Sequence, residues 1–421
     1  MNILVVNGYV RQNKGDAALM SVLCHELQKS FPQATIKISS QENPCQDPKF
    51  EGWQNVGSLN RYCFDPTTGK LNHLLRLLFS GSIITFLPYI PRKFCRVALR
   101  PLPYALRVQL LALIKADLVV SMGGGYLNGD RSLMANACVY LMLAPLALAK
   151  RFGACAVCAP QSMGPFATNF QRKMVTRTLE KVDLILTREK KTIKLLAELP
   201  GHFPVVSSVD SGFLFNVDVA ANLRSKLQVS SQKLLVGVTV RRWLDPSRQQ
   251  KYEQAIAQTV DYLTSHYQAA VVFIPQVTSS LGGDDDRMTA EKVYAKIKHK
   301  SHVYLLGEHY THQQIKSLYN ALDLIIGTRF HSVIFSLTSL VPALAIEYEH
   351  KTSGIMRDLG LEQWVIRIED VTAGRLTAAL HKLLRERAHY KSYLSSRLPS
   401  YLRQARDTIG MLAASYSSSR D

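Results

Sequence analysis

Short apolar runs alternate with longer segments of helical periodicity, and this series occurs twice along the 421 residues. Runs that are apolar at successive positions are typical of strands buried on both faces of a parallel sheet, and parallel strands need crossover helices. The sequence therefore predicts α/β folding in two doubly wound units. The predicted strands are Ile3–Asn7, Ala34–Ser39, Leu118–Met122, Ala154–Ala159, Leu184–Thr187, Val205–Val209, Leu235–Val240, Ala270–Pro275, Val303–Leu306, Leu324–Ile326 and Ala343–Glu347.

The chain is long enough for two domains, each with its own core. We expect an N-terminal Rossmann-like domain over residues 1–216 and a C-terminal Rossmann-like domain over residues 233–374, joined by the polar stretch 217–232. The basic helical pattern of residues 375–421 predicts a C-terminal helical segment that crosses back to the first domain. Two doubly wound domains joined by a short link are expected to face a cleft.

An insertion at residues 66–116 is basic, apolar and rich in aromatic side chains. It contains no acidic residue between Asp65 and Asp117, and its eight Lys and Arg residues contribute to a net charge of +19. Such a segment suits attachment to an anionic membrane surface, and it equally suits helices that pack on the first domain behind a solvated basic face. Its longest apolar stretch, Leu77 to Ile90, contains Pro88 and is short for a membrane span. Without a recognised motif, nucleic acid is not an expected partner.

The start of the chain and its cysteines indicate a cytoplasmic protein. Met1 leads directly into the first predicted strand, without a basic start or a cleavage site. The seven cysteines form no regular framework, and Cys155 and Cys158 lie in a predicted buried strand without a second ligand pair. We therefore expect no metal and no bound cofactor, and a location in the cytoplasm, with peripheral attachment to the inner membrane face if the insertion binds lipid.

The stretch from Asp323 to Ser332 carries the strongest chemical signal. An apolar run ends in Gly327-Thr328, and Arg329 and His331 stand in the turn before a helical pattern. Ligands of α/β sheets bind at the carboxyl ends of the strands, and helix N-termini favour anions. Arginine and histidine placed there can bind a phosphate or carboxylate, and histidine can also move a proton. Taken alone, the pair also fits a capping arginine and a packed histidine.

Further polar or glycine-rich clusters follow other predicted strands. Each cluster alone fits a helix cap or a surface loop, and the three-glycine turn lacks the spacing of a dinucleotide-binding motif. Their repeated position at the ends of strands in both halves favours a binding site. The candidate substrate-binding residues are Asn13, Gly15, Gly124, Gly125, Gln161, Arg241, Gln276, Arg329 and Glu347, and the candidate catalytic residues are Asp16 and His331.

Over about residues 2–350 the chain resembles the polysaccharide pyruvyltransferase family. The resemblance rests above all on Gly327-Thr328-Arg329-Phe330-His331-Ser332, where family members usually have Leu in place of Phe330. It also rests on the shorter motifs Asn13-x-Gly15-Asp16, Gly123–Gly125, Gln161-Ser162-Met163-Gly164-Pro165, Thr187-Arg188-Glu189 and Asp210. The insertion at 66–116 has no counterpart that we can match to the family.

The resemblance implies a fold like that of the GT-B glycosyltransferases. It further implies transfer of a pyruvyl group from phosphoenolpyruvate to two hydroxyls of a sugar, in a glycan or a lipid-linked precursor, to form a cyclic ketal. The donor would bind to the C-terminal domain and the sugar to the N-terminal domain. A GT-B glycosyltransferase or another sugar-nucleotide enzyme is the alternative activity, and a membrane-surface adaptor is the non-enzymatic one.

The candidate residues suit this chemistry by type. Phosphoenolpyruvate carries a phosphate and a carboxylate, and Arg329 and Arg241 could hold one each. His331 fits the general acid that protonates the enol carbon; alternatively it contacts the phosphate while Glu347 moves protons. Asp16 is the candidate base for the sugar hydroxyl, and its other interpretation is an N-cap of the following helix.

Overall fold

The computed structural model describes residues 1–217, 222–279, 284–307 and 309–418. The chain forms two units: the first comprises Met1–Val10, Leu19–Ser211 and residues from Gln404 onward, and the second comprises Arg11–Ala18 and Gly212–Arg403.

The strands are β1 Asn2–Gly8, β2 Thr35–Ser40, β3 Lys49–Phe50, β4 Trp53–Asn55, β5 Leu118–Ser121, β6 Gly124–Gly129, β7 Cys155–Phe166, β8 Leu184–Thr187, β9 Val205–Ser207, β10 Leu235–Thr239, β11 Ala270–Phe273, β12 Val303–Leu305, β13 Leu324–Gly327, β14 Ala343–Glu347 and β15 Val365–Arg367. The helices are α1 Lys14–Ser30, α2 Leu59–Cys63, α3 Lys70–Phe86, α4 Arg92–Ala98, α5 Tyr104–Lys115, α6 Leu133–Arg151, α7 Asn169–Leu179, α8 Lys190–Ala197, α9 Leu223–Lys226, α10 Pro246–His266, α11 Asp286–Lys296, α12 His312–Tyr319, α13 Phe330–Thr338, α14 Lys351–Asp358, α15 Ala373–Arg385 and α16 Arg387–Ser418.

The first unit is built on a sheet with the strand order β3-β4-β2-β1-β5-β7-β8-β9, and β6 pairs with β7. All of these pairs are parallel except the short β3–β4 pair. Every residue of β5 and of β8 is buried, as expected for central strands that are covered by helices on both faces. The apolar runs therefore predict these strands correctly.

Two predicted turns of this unit continue instead as strand. The prediction ended the fourth strand at Ala159, but β7 runs on to Phe166, and the predicted glycine turn enters β6 at Gly124. The cause is pairing between the two segments, in which Gly124 lies opposite Gln161 and Leu127 opposite Met163. A side chain at Gly123 would place its Cβ 2.5 Å from the Pro160 carbonyl oxygen, so this approach requires glycine.

The insertion at 66–116 folds as the helices α3, α4 and α5 on the first unit. By length and composition alone, Lys70–Tyr89 and Leu133–Arg151 are long and apolar enough to cross a membrane, and 44% of the second window is buried within the protein. The first is longer than the apolar stretch that the sequence indicated, because the helix begins at Lys70 rather than at Leu77.

The second unit is built on a parallel sheet with the order β12-β11-β10-β13-β14-β15. The strand order reverses at β10, between β11 and β13, which is where a doubly wound sheet leaves room for a ligand. Residues Arg11–Ala18 cluster with this unit. The backbone N–H of Lys14 donates to the Gln276 carbonyl (2.9 Å), and the N–H of Thr278 donates to the Gln12 carbonyl (3.0 Å). The prediction of two Rossmann-like α/β domains is confirmed.

Candidate functional site

The turn between β13 and α13 is fixed by hydroxyl groups that the sequence places at the strand ends. The Thr239 hydroxyl oxygen accepts the backbone N–H groups of Thr328 (3.0 Å) and Arg329 (3.3 Å), and it lies 2.9 Å from the Ser332 hydroxyl. Tyr252 reaches the Thr328 hydroxyl from α10 at 2.8 Å. This network holds Arg329 at the N-cap position of α13 and places His331 in the first turn of the helix.

Arg329 is buried and ion-paired with two aspartates. Its Nε and Nη2 contact the Asp286 carboxylate at 3.0 Å and 2.6 Å, and Nη2 also donates to Asp284 at 2.7 Å. Burial acts to lower the pKa of Arg329, but the charges of Asp286 and Asp284 outweigh it and raise that pKa. The Asp286 carboxylate also accepts the backbone N–H groups of Gln276 and Val277. Nη1 of Arg329 donates to none of the described residues, so that side of the guanidinium can receive an anion.

Arg241 and Arg329 share the Asp284 carboxylate. Arg329 contacts one of its oxygens, and Nη2 of Arg241 donates to the other at 3.2 Å. Its guanidinium carbon stands 4.7 Å from the ring centre of Trp243 and 4.1 Å from that of Tyr348. Rings at these distances hold a guanidinium by cation–π attraction and fix its plane. Two arginines predicted to bind the donor therefore converge on one carboxylate group.

His331 packs directly against Gly15. A Cβ added to Gly15 would lie 2.0 Å from the His331 Nδ1 and 2.4 Å from its Cγ, so only glycine allows this approach. The Asn13 side-chain amide donates to the Asp16 carboxylate at 2.6 Å. Asn13 is the residue before α1 and accepts the Ala17 N–H on its carbonyl. The interpretation of Asp16 as the N-cap is thus wrong, because Asn13 occupies that position and Asp16 lies within the first turn.

The remaining candidates of the second unit have structural contacts. Gln276 donates to the Tyr319 hydroxyl at 2.9 Å, and its buried Oε1 accepts no hydrogen bond from the described residues. Glu347 ends β14, and its carboxylate accepts the Ser353 N–H at 3.1 Å near the start of α14. Both residues lie at carboxyl ends of strands, as the sequence predicted.

Gly124, Gly125 and Gln161 belong to the first unit. The Gln161 side chain is buried in β7, and neither of its amide atoms has a hydrogen-bonding nitrogen or oxygen partner among the described residues. Burial raises the pKa of the neighbouring Cys158 thiol to about 12, an effect that its contact with Gln161 opposes. Beyond β7, buried Arg188 is ion-paired with Asp210 and donates to the Ser162 hydroxyl at 2.9 Å.

Sequence reasoning missed the two aspartates that orient the arginines. Asp284 and Asp286 stand in an acidic run, Asp284-Asp285-Asp286, that is visible in the sequence but follows no predicted strand directly. The acidic run itself was the only available signal, and nothing in the sequence placed it beside the arginines. In the part of the chain that the structure describes, no group of three or more His, Cys, Asp or Glu side chains is arranged to hold a metal ion.

The chain as a whole matches known proteins. Residues 13–350 match the family model described as polysaccharide pyruvyl transferase. The amylovoran biosynthesis protein AmsJ of Erwinia amylovora is 23% identical over 283 residues, which cover 64% of this chain and 65% of AmsJ, so the chain spans about two thirds of that relative.

Solved structures share the fold at low identity. A UDP-N-acetylglucosamine 2-epimerase, described as putative, from Listeria monocytogenes superimposes with a TM-score of 0.60 at 12% identity, covering 99% of this chain and 96% of that one. A glycosyltransferase from Rickettsia africae gives 0.59 at 11% identity, with coverages of 100% and 98%. These likenesses establish the GT-B type of fold that the sequence predicted.

Proposed function

Because the chain belongs to the polysaccharide pyruvyl transferase family, we propose that it transfers a pyruvyl group from phosphoenolpyruvate to a sugar. The acceptor is a glycan or a lipid-linked glycan precursor of exopolysaccharide biosynthesis in the cell envelope, in keeping with the printed name of AmsJ. The product is a cyclic pyruvate ketal, and inorganic phosphate leaves.

The observation that carries this proposal is the convergence of Arg241 and Arg329 on Asp284. Two guanidiniums that share one carboxylate are close enough to bind the phosphate and carboxylate of a single small ligand. The outer one, Arg241, lies over both the Trp243 and the Tyr348 ring, whose centres are 4.9 Å apart. The inner one keeps Nη1 for a ligand, while Asp286 holds its other nitrogens.

The reaction needs one proton donor and one proton acceptor. A proton adds to the methylene carbon of phosphoenolpyruvate, and a sugar hydroxyl adds to the neighbouring carbon as positive charge develops there. The bond between that carbon and the phosphate oxygen then breaks, and the second hydroxyl closes the ketal. The two sugar hydroxyls lose two protons in all: one replaces the proton that was added to form the methyl group, and the other leaves with the phosphate.

His331 and Asp16 are assigned to the proton transfers. Gly15 brings the first turn of α1 against the His331 ring, so Asp16 and His331 belong to one local arrangement. His331 serves as the general acid for the enol carbon, and Asp16 as the base for a sugar hydroxyl. If His331 instead contacts the phosphate, Glu347 is the carboxylate left for proton transfer. Asn13, Gly124, Gly125, Gln161 and Gln276 are proposed to bind substrate.

We place the reaction in the cytoplasm, with the protein peripheral to an anionic membrane surface that carries the acceptor. The proposed chemistry needs no metal, because arginines bind both anionic groups of the donor, its phosphate and its carboxylate. Activity that survives a chelator is therefore expected, and loss of activity that added metal restores would contradict this part.

The test is phosphate release from phosphoenolpyruvate that depends on an added glycan, with a matching gain in mass on that glycan. A broad acceptor panel without any mass gain contradicts the proposal. Thermal stabilisation by a nucleoside diphosphate sugar, and none by phosphoenolpyruvate, would favour a sugar-nucleotide enzyme. A cellular role that persists after Arg329→Lys and His331→Gln would favour a non-enzymatic adaptor.

A further inference from the structure

Helix α3 presents its apolar side chains to the outside of the first unit. Their spacing of three and four residues forms a stripe along the helix, and Leu71, Leu78 and Phe86 are 70%, 60% and 67% exposed. The opposite side, with Ser80 and Ile84, is buried. The inner side is also apolar, since Ile84 belongs to the core and Leu77 and Ile83 pack against it, so α3 has apolar side chains on its exposed side as well as on its packed side. The stripe consists of Leu71, Leu74, Leu75, Leu78, Phe79 and Phe86.

Neighbouring elements extend the stripe into a larger surface, which we call the α3–α6 face. Leu133 and Met134 at the start of α6 and Phe170 of α7 are also exposed. A groove of about 460 Å³ runs between α3 and α6 and is bordered by Phe170. Ten of the nineteen exposed large apolar side chains among the described residues lie in the insertion at 66–116. Such concentration marks an interaction surface rather than scattered exposure.

The charge that the insertion at 66–116 contributes to this face is entirely positive. Helix α4 exposes Arg92, Lys93 and Arg96 next to the exposed Phe94, and none of the three basic side chains has an ion pair with the described residues. No acidic residue occurs between Asp65 and Asp117. An apolar stripe with unpaired cations beside it complements the interface of an anionic bilayer, where acyl chains take the stripe and lipid phosphates take the cations.

Contacts at the start of α3 distinguish a helix that lies on a membrane from one that crosses it. The His73 ring is hydrogen-bonded to the Asp65 carbonyl at 2.9 Å, and Arg76 donates to the Tyr62 carbonyl at 3.0 Å. The Cys63 thiol lies 3.5 Å from the Ser80 hydroxyl, so the inner side of the helix is packed on α2. These polar contacts hold α3 against the unit, with only the opposite side available to lipid.

We propose that the α3–α6 face is the membrane-binding surface of this protein, and that it inserts into one leaflet of an anionic bilayer without crossing it. The α4 cations bind lipid phosphates, and the groove beside Phe170 receives a hydrocarbon chain. The inference does not depend on the reaction proposed above, because it is tested by binding alone.

The first experiment is vesicle sedimentation with the full chain, using phosphatidylcholine alone and phosphatidylcholine mixed with phosphatidylglycerol. We expect preference for the anionic vesicles. Arg92→Gln/Lys93→Gln/Arg96→Gln should weaken that binding about a hundredfold, because each cation near an anionic surface contributes about a factor of five. The matched control, Lys190→Gln/Lys191→Gln/Lys194→Gln, removes the same charge from the exposed side of α8 and should change binding by less than about threefold.

The second experiment removes the apolar part. Leu74→Ser/Leu78→Ser/Phe86→Ser should reduce binding at least about tenfold while leaving the thermal midpoint near that of the parent, because all three side chains are more than half exposed. Brominated lipid should quench the fluorescence of the tryptophan introduced by Phe86→Trp, and it should not quench that of the tryptophan introduced by Met411→Trp on α16. Equal loss with the α8 control, equal binding to neutral and anionic vesicles, or no quenching at position 86 overturns the proposal. A stable dimer that the serine variant dissociates, without vesicle binding, overturns it in favour of a second copy.

Discussion

Gly15→Ala is the sharpest test of the candidate site, because it adds one methyl group where the structure has no room. The new Cβ would stand 2.0 Å from the His331 Nδ1, and the ring must retreat by about 1.4 Å to reach an ordinary contact of 3.4 Å. The Gly15 backbone does not have a positive φ, so alanine meets no backbone strain there. The whole effect is therefore steric and falls on His331.

A displacement of about 1 Å in a reacting group can cost on the order of a hundredfold in rate, or about 2.7 kcal/mol of activation free energy. We expect a fall of that size in turnover, and a loss of about 1–3 kcal/mol in the free energy of unfolding from overpacking. Acceptor-dependent phosphate release and urea unfolding measure the two effects. Gly374→Ala on α15 is the control, because no atom lies within 4 Å of its added Cβ.

A double-mutant cycle connects the effect to His331. His331→Ala removes Nδ1 and Cγ, which leaves the His331 Cβ, 2.8 Å from the added methyl, as the closest atom of that residue. Gly15→Ala should then cost much less unfolding free energy in the His331→Ala background than in the parent. Equal costs in both backgrounds, or a Gly15→Ala protein as active as the Gly374→Ala control, would refute the contact as the cause.

Four further outcomes are expected. Arg241→Lys keeps the charge but loses the stacked plane, so KM for phosphoenolpyruvate should rise about tenfold with little change in kcat. His331→Gln should lower kcat about a hundredfold if His331 is the acid, and a rise in KM alone would identify it as a binding group. Burial lowers the pKa of Lys316 from 10.5 to about 8, so folding below pH 8 must bury a charged ammonium group. Measured by urea unfolding relative to the Lys316→Met variant, the free energy of unfolding of the parent protein should rise by up to about 3 kcal/mol between pH 8 and 10.5. Asp284→Asn should lower KM for phosphoenolpyruvate, and calorimetric donor binding weaker than in the parent would contradict this.

The strand cores were predictable because burial on both faces leaves a local signature. Leu184–Thr187 and Ala343–Glu347 have the bounds that the apolar runs indicate. The extension of β7 to Phe166 was not predictable in this way, since Gln161-Ser162-Met163-Gly164-Pro165 has the composition of a turn. Its strand geometry depends on pairing with β6, a partner that begins at Gly124 and itself has the composition of a loop.

In the candidate site, too, the sequence indicated what depends on local position and not what depends on tertiary contacts. Strand ends and residue types led to Arg241, Arg329 and His331 as candidates, because position after a parallel strand is a local property. The partners of these residues are tertiary. Asp286 is 43 residues from Arg329, and no local pattern indicates that the two form a buried ion pair. The contact between Gly15 and His331 likewise joins residues from opposite halves of the sequence, and the motif showed only that glycine was present.

The two aspartates have different electrostatic roles, and the difference follows from their exposure. The Asp286 side chain is 2% exposed and Asp284 is 32% exposed, although both contact Arg329. A buried ion pair that also accepts two backbone N–H groups is costly to break, so Asp286 fixes the position of Arg329. A partly exposed carboxylate loses little when water or another anion replaces it. In the free protein Asp284 thus neutralises Arg241 and Arg329 at the place where the donor would bind. The proposed trianionic donor would compete with Asp284 for the two arginines while Asp286 keeps Arg329 oriented, and for this reason neutralising Asp284 should favour the donor.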